Sequence, residues 1–135
     1  MKNNFIKSFR AEVVAGRKVG SKIGFPTINL KVSPDAMDGL GQGVYVCVVC
    51  YDEKKNLGVM HFGPRPTFLD AEFFVEIHLL DFDEDLYGKK VMVRVYNKLR
   101  GIKKFADVEE LKKQITKDVA RCRSMINVQF SINVK

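Results

Sequence analysis

The fold of this chain is restricted most by a rhythm that runs up to about residue 100: short β-branched and aromatic runs, each followed by turn residues. FRAEVV, GVYVCVVCY, LGVMHF, FFVEIHLLDF and KVMVRVYNKL are the runs, and PDAMDGLGQG, DEKKN, GPRPTFLDAE and DEDLYGK are among the segments between them. Valine, isoleucine, phenylalanine and tyrosine suit a pleated, half-buried surface; glycine, proline and the short acidic residues supply the backbone angles of turns. Strands this short, reversing roughly every ten residues, predict an antiparallel sheet that closes into a barrel or packs as a sandwich. FFVEIHLL shows the two-residue period best. Phe73, Val75, Ile77 and Leu79 fall on one face, Phe74, Glu76, His78 and Leu80 on the other. The first face is wholly apolar and belongs in a core, whereas the second carries a carboxylate and an imidazole.

The rhythm changes once, in ADVEELKKQITKDVARCRSMI. Asp107 can cap a helix, and Glu110 three residues on completes a pair like the capping box. Val108, Leu111, Ile115, Val119, Cys122 and Ile126 recur at intervals of three and four, which gives one apolar stripe to lay against the sheet. The tail NVQFSINVK alternates weakly, as a last strand or a frayed end. No linker or repeat divides the 135 residues, so a single domain is expected over 1–135, with its core at about 9–126 and a 127–135 tail.

A chain of this length buries roughly two-thirds of its unfolded surface and needs no disulfide or metal staple. Its three cysteines, an odd number, suit a reducing compartment. Cys47 and Cys50 form a CxxC, but they sit in a strand-like run, where residues three apart point to opposite faces. Their sulfurs would not converge, so both are read as packing residues. The chain lacks an apolar run of membrane-spanning length, and MKNNFIKSFRAEV lacks the apolar centre of a signal peptide. A cytoplasmic protein with no membrane partner is expected. The net charge of +7 suits an anionic partner, either nucleic acid or a phosphorylated small molecule. The basic residues are mostly scattered, with no zinc-finger spacing and no aromatic RNA-binding motif beside them.

AGRKVGSKIGFPTINL has the residues of a phosphate loop in the wrong order. A Walker loop places four residues between its glycines, then lysine and a hydroxyl, then a helix. Here Gly16 and Gly20 are too close together, Ser21 precedes Lys22, and Thr27 follows Pro26 into a strand-like INLKV. The glycines still allow backbone amides to wrap an anion, with Lys22 adding a point charge; a plain Gly-rich connection is the other reading. If the chain is extended here, Thr27 and Asn29 share a face. Their hard, neutral oxygens suit a Mg²⁺ ion that already carries phosphate. Glu76 is the candidate base. His78, on its face, could be its neighbour, a contact for an anionic ligand, or a surface residue. No Ser-His-Asp or Cys-His pattern and no His/Cys/carboxylate metal cluster is readable.

Taken in order, VVAGRKVGSKIGFPTINL, GVYVCVV, GPRPTF, VEIHLLDFDEDLYGK and KLRGIKKF with the helix after it resemble the riboflavin kinase family, from about Phe9 to Arg123. The resemblance implies a mainly β protein, a six-stranded antiparallel Greek-key-like barrel with one C-terminal helix packed on it. It implies an ATP-dependent enzyme that moves the γ-phosphate of ATP to the 5′-hydroxyl of riboflavin, giving FMN and ADP. Mg²⁺ is the implied cofactor, with Zn²⁺ or Mn²⁺ as other divalent ions, and a monomer without a nucleic-acid partner is expected. Carried over, Gly16, Gly20 and Lys22 lie in the loop over the ATP phosphates. Thr27 and Asn29 coordinate the metal, with Thr27 also on the nucleotide. Glu76 is the catalytic carboxylate, expected to meet the Thr27/Asn29 segment across the barrel. Leu79, Asp81 and Tyr87 line the adenine-nucleotide site, and Arg100, Lys103 and Phe105 contact the flavin.

The chain departs from the family pattern in three places. Ile102 stands where an acidic residue is common, two after the arginine of LRGIKKF. Lys18 and Val19 replace Gly and Arg in the phosphate loop, and Ile28 replaces the alanine of the Pro-Thr-Ala-Asn motif. Nothing in the sequence resembles the adenylyltransferase domain that bacterial relatives carry, so FMN is the expected end product. Two rival readings are a flavin- or nucleotide-binding barrel without catalysis, and a basic nucleic-acid-binding barrel supported by charge alone.

Overall fold

A computed structural model describes residues 5–16, 23–65 and 70–125. Gly20 and Lys22 of the phosphate loop, the end of the predicted helical stripe at Ile126, and the 127–135 tail lie outside the described residues. Six strands are formed: β1 Lys7–Val14, β2 Ile28–Lys31, β3 Gly43–Tyr51, β4 Lys54–Arg65, β5 Asp70–Leu79 and β6 Lys90–Arg100. A 3₁₀ turn, Pro34–Met37, follows β2, and one helix, α1, spans Val108–Met125. The strands close a barrel in the order β1-β2-β5-β4-β3-β6, every pair antiparallel. Within it, β6-β3-β4-β5 has the spatial order of a Greek key, because β6 returns beside β3 after two hairpin steps. Closure leaves no free sheet edge.

Two apolar clusters explain why the strands read differently in sequence. The barrel interior is filled by side chains that include Phe9, Leu30, Tyr45, Val49, Met60, Ile77 and Val93. A second cluster lies outside the sheet, where Val44, Val46, Val48, Leu57 and Tyr96 pack with Cys122 and Val119 of α1. β3 is therefore buried on both faces and is apolar almost throughout, as GVYVCVVCY is. The turn after it is tight: Tyr51 pairs with Lys54 across Asp52 and Glu53, both with positive φ (46° and 61°), the left-handed pair that suits the twist of a hairpin. Cys47 lies in the interior cluster and Cys50 against the outer one, so the CxxC sulfurs do point apart.

α1 begins as the sequence predicts, with the Glu110 amide donating to Asp107 Oδ1 at 2.9 Å. Its stripe is less even than expected. Val108 is exposed, whereas the buried residues of the helix are Cys122 and, in line with it, the carboxylate of Asp118. The Cys122 thiol reaches back to the Gly58 carbonyl of β4 at 3.4 Å, and burial pushes its pKa up to about 12. Among the described residues, no helix is long and apolar enough to cross a membrane.

Candidate active site

Strand parity and register together build the site. Leu30 is buried in the barrel and Ile28 packs against the same cluster, so Asn29 between them faces outward. Val75 and Ile77 are interior, so Glu76 faces outward too. The register of β2 and β5 then sets Asn29 directly opposite Glu76. Residues directly opposite in an antiparallel pair share a face, with Cβ atoms about 4.5–5.5 Å apart. The same row extends both ways, to Val14 of β1 on one side and to His61 of β4, Val44 of β3 and Arg100 of β6 on the other. Asn29 and Glu76 thus meet on neighbouring strands, not across the barrel as the sequence had suggested. Glu76 is only 9% exposed, which replaces the solvated outer face expected of an ordinary surface strand.

The segment before β2 is held against the same row. Gly24 turns the chain with φ +92°, and Phe25 sets its ring edge-on to His78 at 5.4 Å. The Nδ1–H of His78 donates to the Pro26 carbonyl at 2.8 Å. His78 lies two residues from Glu76 on one face, and its role in this structure is to fix Pro26, and so the position of Thr27. Gly16 closes the other side: a Cβ there would overlap the carboxamide of Asn29. Gly16→Ala is therefore expected to displace Asn29 and to cost about 1–3 kcal/mol through overpacking. A magnesium titration of Gly16→Ala should shift to higher concentration; an unchanged titration would separate Gly16 from the Asn29 site.

Asn29 offers a neutral oxygen opposite the Glu76 carboxylate, and Thr27, two residues earlier, offers a hydroxyl just before β2. Among the described residues there is no group of three or more His, Cys, Asp or Glu that could hold a metal. This donor set fits Mg²⁺ arriving with phosphate and keeping its waters better than it fits a tetrahedral zinc cage. Next to Asn29 opens a cavity of about 880 Å³, lined by Gly16 and by the apolar Met37, Leu40, Phe62 and Val75 among others. Its volume is in the range that holds a nucleotide or a flavin.

The other predicted residues fall into two further groups. Leu79 packs in the barrel interior. Asp81, with φ 53°, has its carboxylate bound by Arg123 of α1 at 2.7 and 2.9 Å, and that hydrogen-bonded guanidinium lowers its pKa. Tyr87 is 67% exposed, on a connection tied to β1 by the Gly88 amide on the Val13 carbonyl at 2.9 Å. Arg100, Lys103 and Phe105 come together, with both cations over the Phe105 ring at 5.5 and 5.4 Å. Arg100 is also committed inward, its Nε and Nη2 donating to the Asp118 carboxylate at 3.0 Å. Gln114 completes that buried network with a 2.9 Å bond to Asp118. The sequence reading missed Asp118, although its place on the stripe, between Ile115 and Cys122, was the available signal. It also missed His61, whose place beside Glu76 depends on register.

The chain is thus a closed six-stranded barrel with a flanking helix, and on its outer face a carboxylate lies opposite an amide. The sequence model of the riboflavin kinase (flavokinase) family matches residues 4–126. The chain is 38% identical over 109 residues to the RNA-binding riboflavin kinase RibR of Bacillus subtilis, covering 80% of this chain and 46% of that one. It is 39% identical over 121 residues to the bifunctional riboflavin kinase/FMN adenylyltransferase of Escherichia coli K12, covering 86% and 37%. The crystal structure of riboflavin kinase from Trypanosoma brucei shares the fold, with a TM-score of 0.66 at 24% identity over 90% of this chain and 80% of that one. This chain belongs to the riboflavin kinase family. It spans less than half the length of either of those two relatives.

Proposed function

We propose that this chain transfers the γ-phosphate of Mg-ATP to the ribityl 5′-hydroxyl of riboflavin, giving FMN and ADP. The observation that carries the reading is the register pair Asn29–Glu76, which puts a nearly buried carboxylate beside a metal-suited oxygen donor. In the transfer, a bond forms between the 5′-oxygen and the γ-phosphorus while the bond from that phosphorus to the β–γ bridging oxygen breaks. The hydroxyl proton passes to Glu76, and ADP leaves with the bridging oxygen. Mg²⁺, held by Thr27 and Asn29, would neutralise charge on the phosphate oxygens. Gly16, by lacking a side chain, keeps Asn29 in place, and His78 keeps Thr27 in place through Pro26. Phosphoryl transfer asks for little more than such positioning and charge stabilisation. The Phe105 platform with Arg100 and Lys103 fits a flat aromatic ring system, which supports the flavin as acceptor.

The test is direct. Protein, Mg-ATP and riboflavin are incubated together, and flavins and nucleotides are separated by chromatography. FMN and ADP should appear in equal amounts, and absence of FMN at every metal and nucleotide tried would sink the reading.

A further inference from the structure

We infer that His61 is a positioning residue for the Glu76 carboxylate, a deeper reading that rests on the kinase function proposed above. Two independent features of the fold lead to it. The first is register: β4 sets His61 directly opposite Glu76, on the face that Glu76 shares with Asn29. The carboxylate is thereby flanked along its row by an amide on one strand and an imidazole on the other. The second is the way the ring is fixed. Its Nε2 lies 2.8 Å from the Pro64 carbonyl and 3.1 Å from the Gly63 carbonyl. Carbonyls only accept, so Nε2 carries the proton and is the donor. One ring nitrogen is thus anchored to backbone, which fixes the ring on the face that it shares with Glu76.

The anchor itself is a built feature. Gly63 has φ +138°, a conformation that favours glycine, and the register of β4 and β5 slips just after it. A side chain at Gly63 would press on Ile102, whose carbon atoms come within 3.2 and 3.4 Å of where a Cβ would be. Ile102, the residue that departs from the family pattern, therefore covers the kink that holds His61. The structure runs in one line from the flavin-side loop through Ile102 and the Gly63–Pro64 backbone to His61, and by register to Glu76. His61 need not touch substrate to matter, because a base aimed wrongly at a hydroxyl loses catalysis without losing binding.

His61→Leu removes the anchored ring, and His61→Gln retains an amide that can donate to the same carbonyls. For wild type and both variants, kcat and the KM values for riboflavin and Mg-ATP are measured with the melting temperature. His61→Leu should lower kcat by about 10- to 100-fold, the order of loss that follows when a reacting group is misplaced by about 1 Å or less. Both KM values should stay close to wild type, and His61→Gln should recover most of the loss. A kcat for His61→Leu within twofold of wild type would overturn the inference. So would equal losses in both variants that follow the melting temperature, since that pattern marks a structural role only. Glu76→Gln run alongside separates the two layers. An inactive wild type sinks the kinase reading and this one with it, whereas an active wild type with an inactive Glu76→Gln and an unaffected His61→Leu sinks the role of His61 alone.

Discussion

Glu76→Gln is expected to keep riboflavin and Mg-ADP binding and to lose about 10²–10⁴-fold in kcat, the usual contribution of a positioned general base. The substitution is nearly isosteric, so the β5 register with Asn29 and His61 should survive and the melting temperature should move little. What disappears is the lone pair that takes the hydroxyl proton. A primary alcohol is a weak nucleophile at neutral pH, and the amide of glutamine cannot accept its proton usefully. Flavin fluorescence titration reports binding, and chromatographic FMN formation reports turnover. A variant that turns over at the wild-type rate would remove Glu76 from the chemistry.

The second large effect concerns stability. Asp118 is 1% exposed, and its carboxylate receives Arg100 and Gln114. Asp118→Ala leaves the Arg100 guanidinium, itself mostly buried, without its counter-charge. Breaking a buried pair in this way typically costs about 3–5 kcal/mol, which corresponds to roughly 10–20 °C in melting temperature for a domain of this size. Arg100 also stacks on Phe105, so the same change should raise the KM for riboflavin at temperatures where the variant is folded. A melting curve that coincides with wild type would show that the pair is structurally idle.

The two effects differ in how far each could be read from residues alone. The outward parity of Glu76 was legible because FFVEIHLL alternates over one strand, and burial of Val75 and Ile77 bears it out. The helix start was legible for the same reason: Asp107 and the Glu110 amide are three residues apart, and the bond is local. The strand pairing was not. Whether Asn29 faces Glu76, or lies one residue off, depends on the closure of a barrel whose neighbours β2 and β5 are far apart in sequence. No local pattern carries that information, since a shift of one residue would move either side chain to the other face. The expectation that the two segments meet across the barrel failed for this reason. Asp118 was passed over because a charged residue on an apolar stripe conflicts with hydrophobic periodicity, and its partner Arg100 lies on another element. Residues carried over from the family pattern came out as groups in space. Gly16 and Asn29 are in contact, and Asn29 is paired with Glu76, whereas Arg100 and Lys103 both converge on Phe105.

Where the ligands sit decides whether this row of the barrel is the site. A crystal structure of the protein with Mg-ADP and FMN is the most direct measurement. It should show the metal on the side-chain oxygens of Thr27 and Asn29, and the FMN 5′-oxygen within hydrogen-bond reach of Glu76. A metal elsewhere, with the flavin phosphate remote from Glu76, would contradict the assignment of this row of the barrel as the site of phosphoryl transfer.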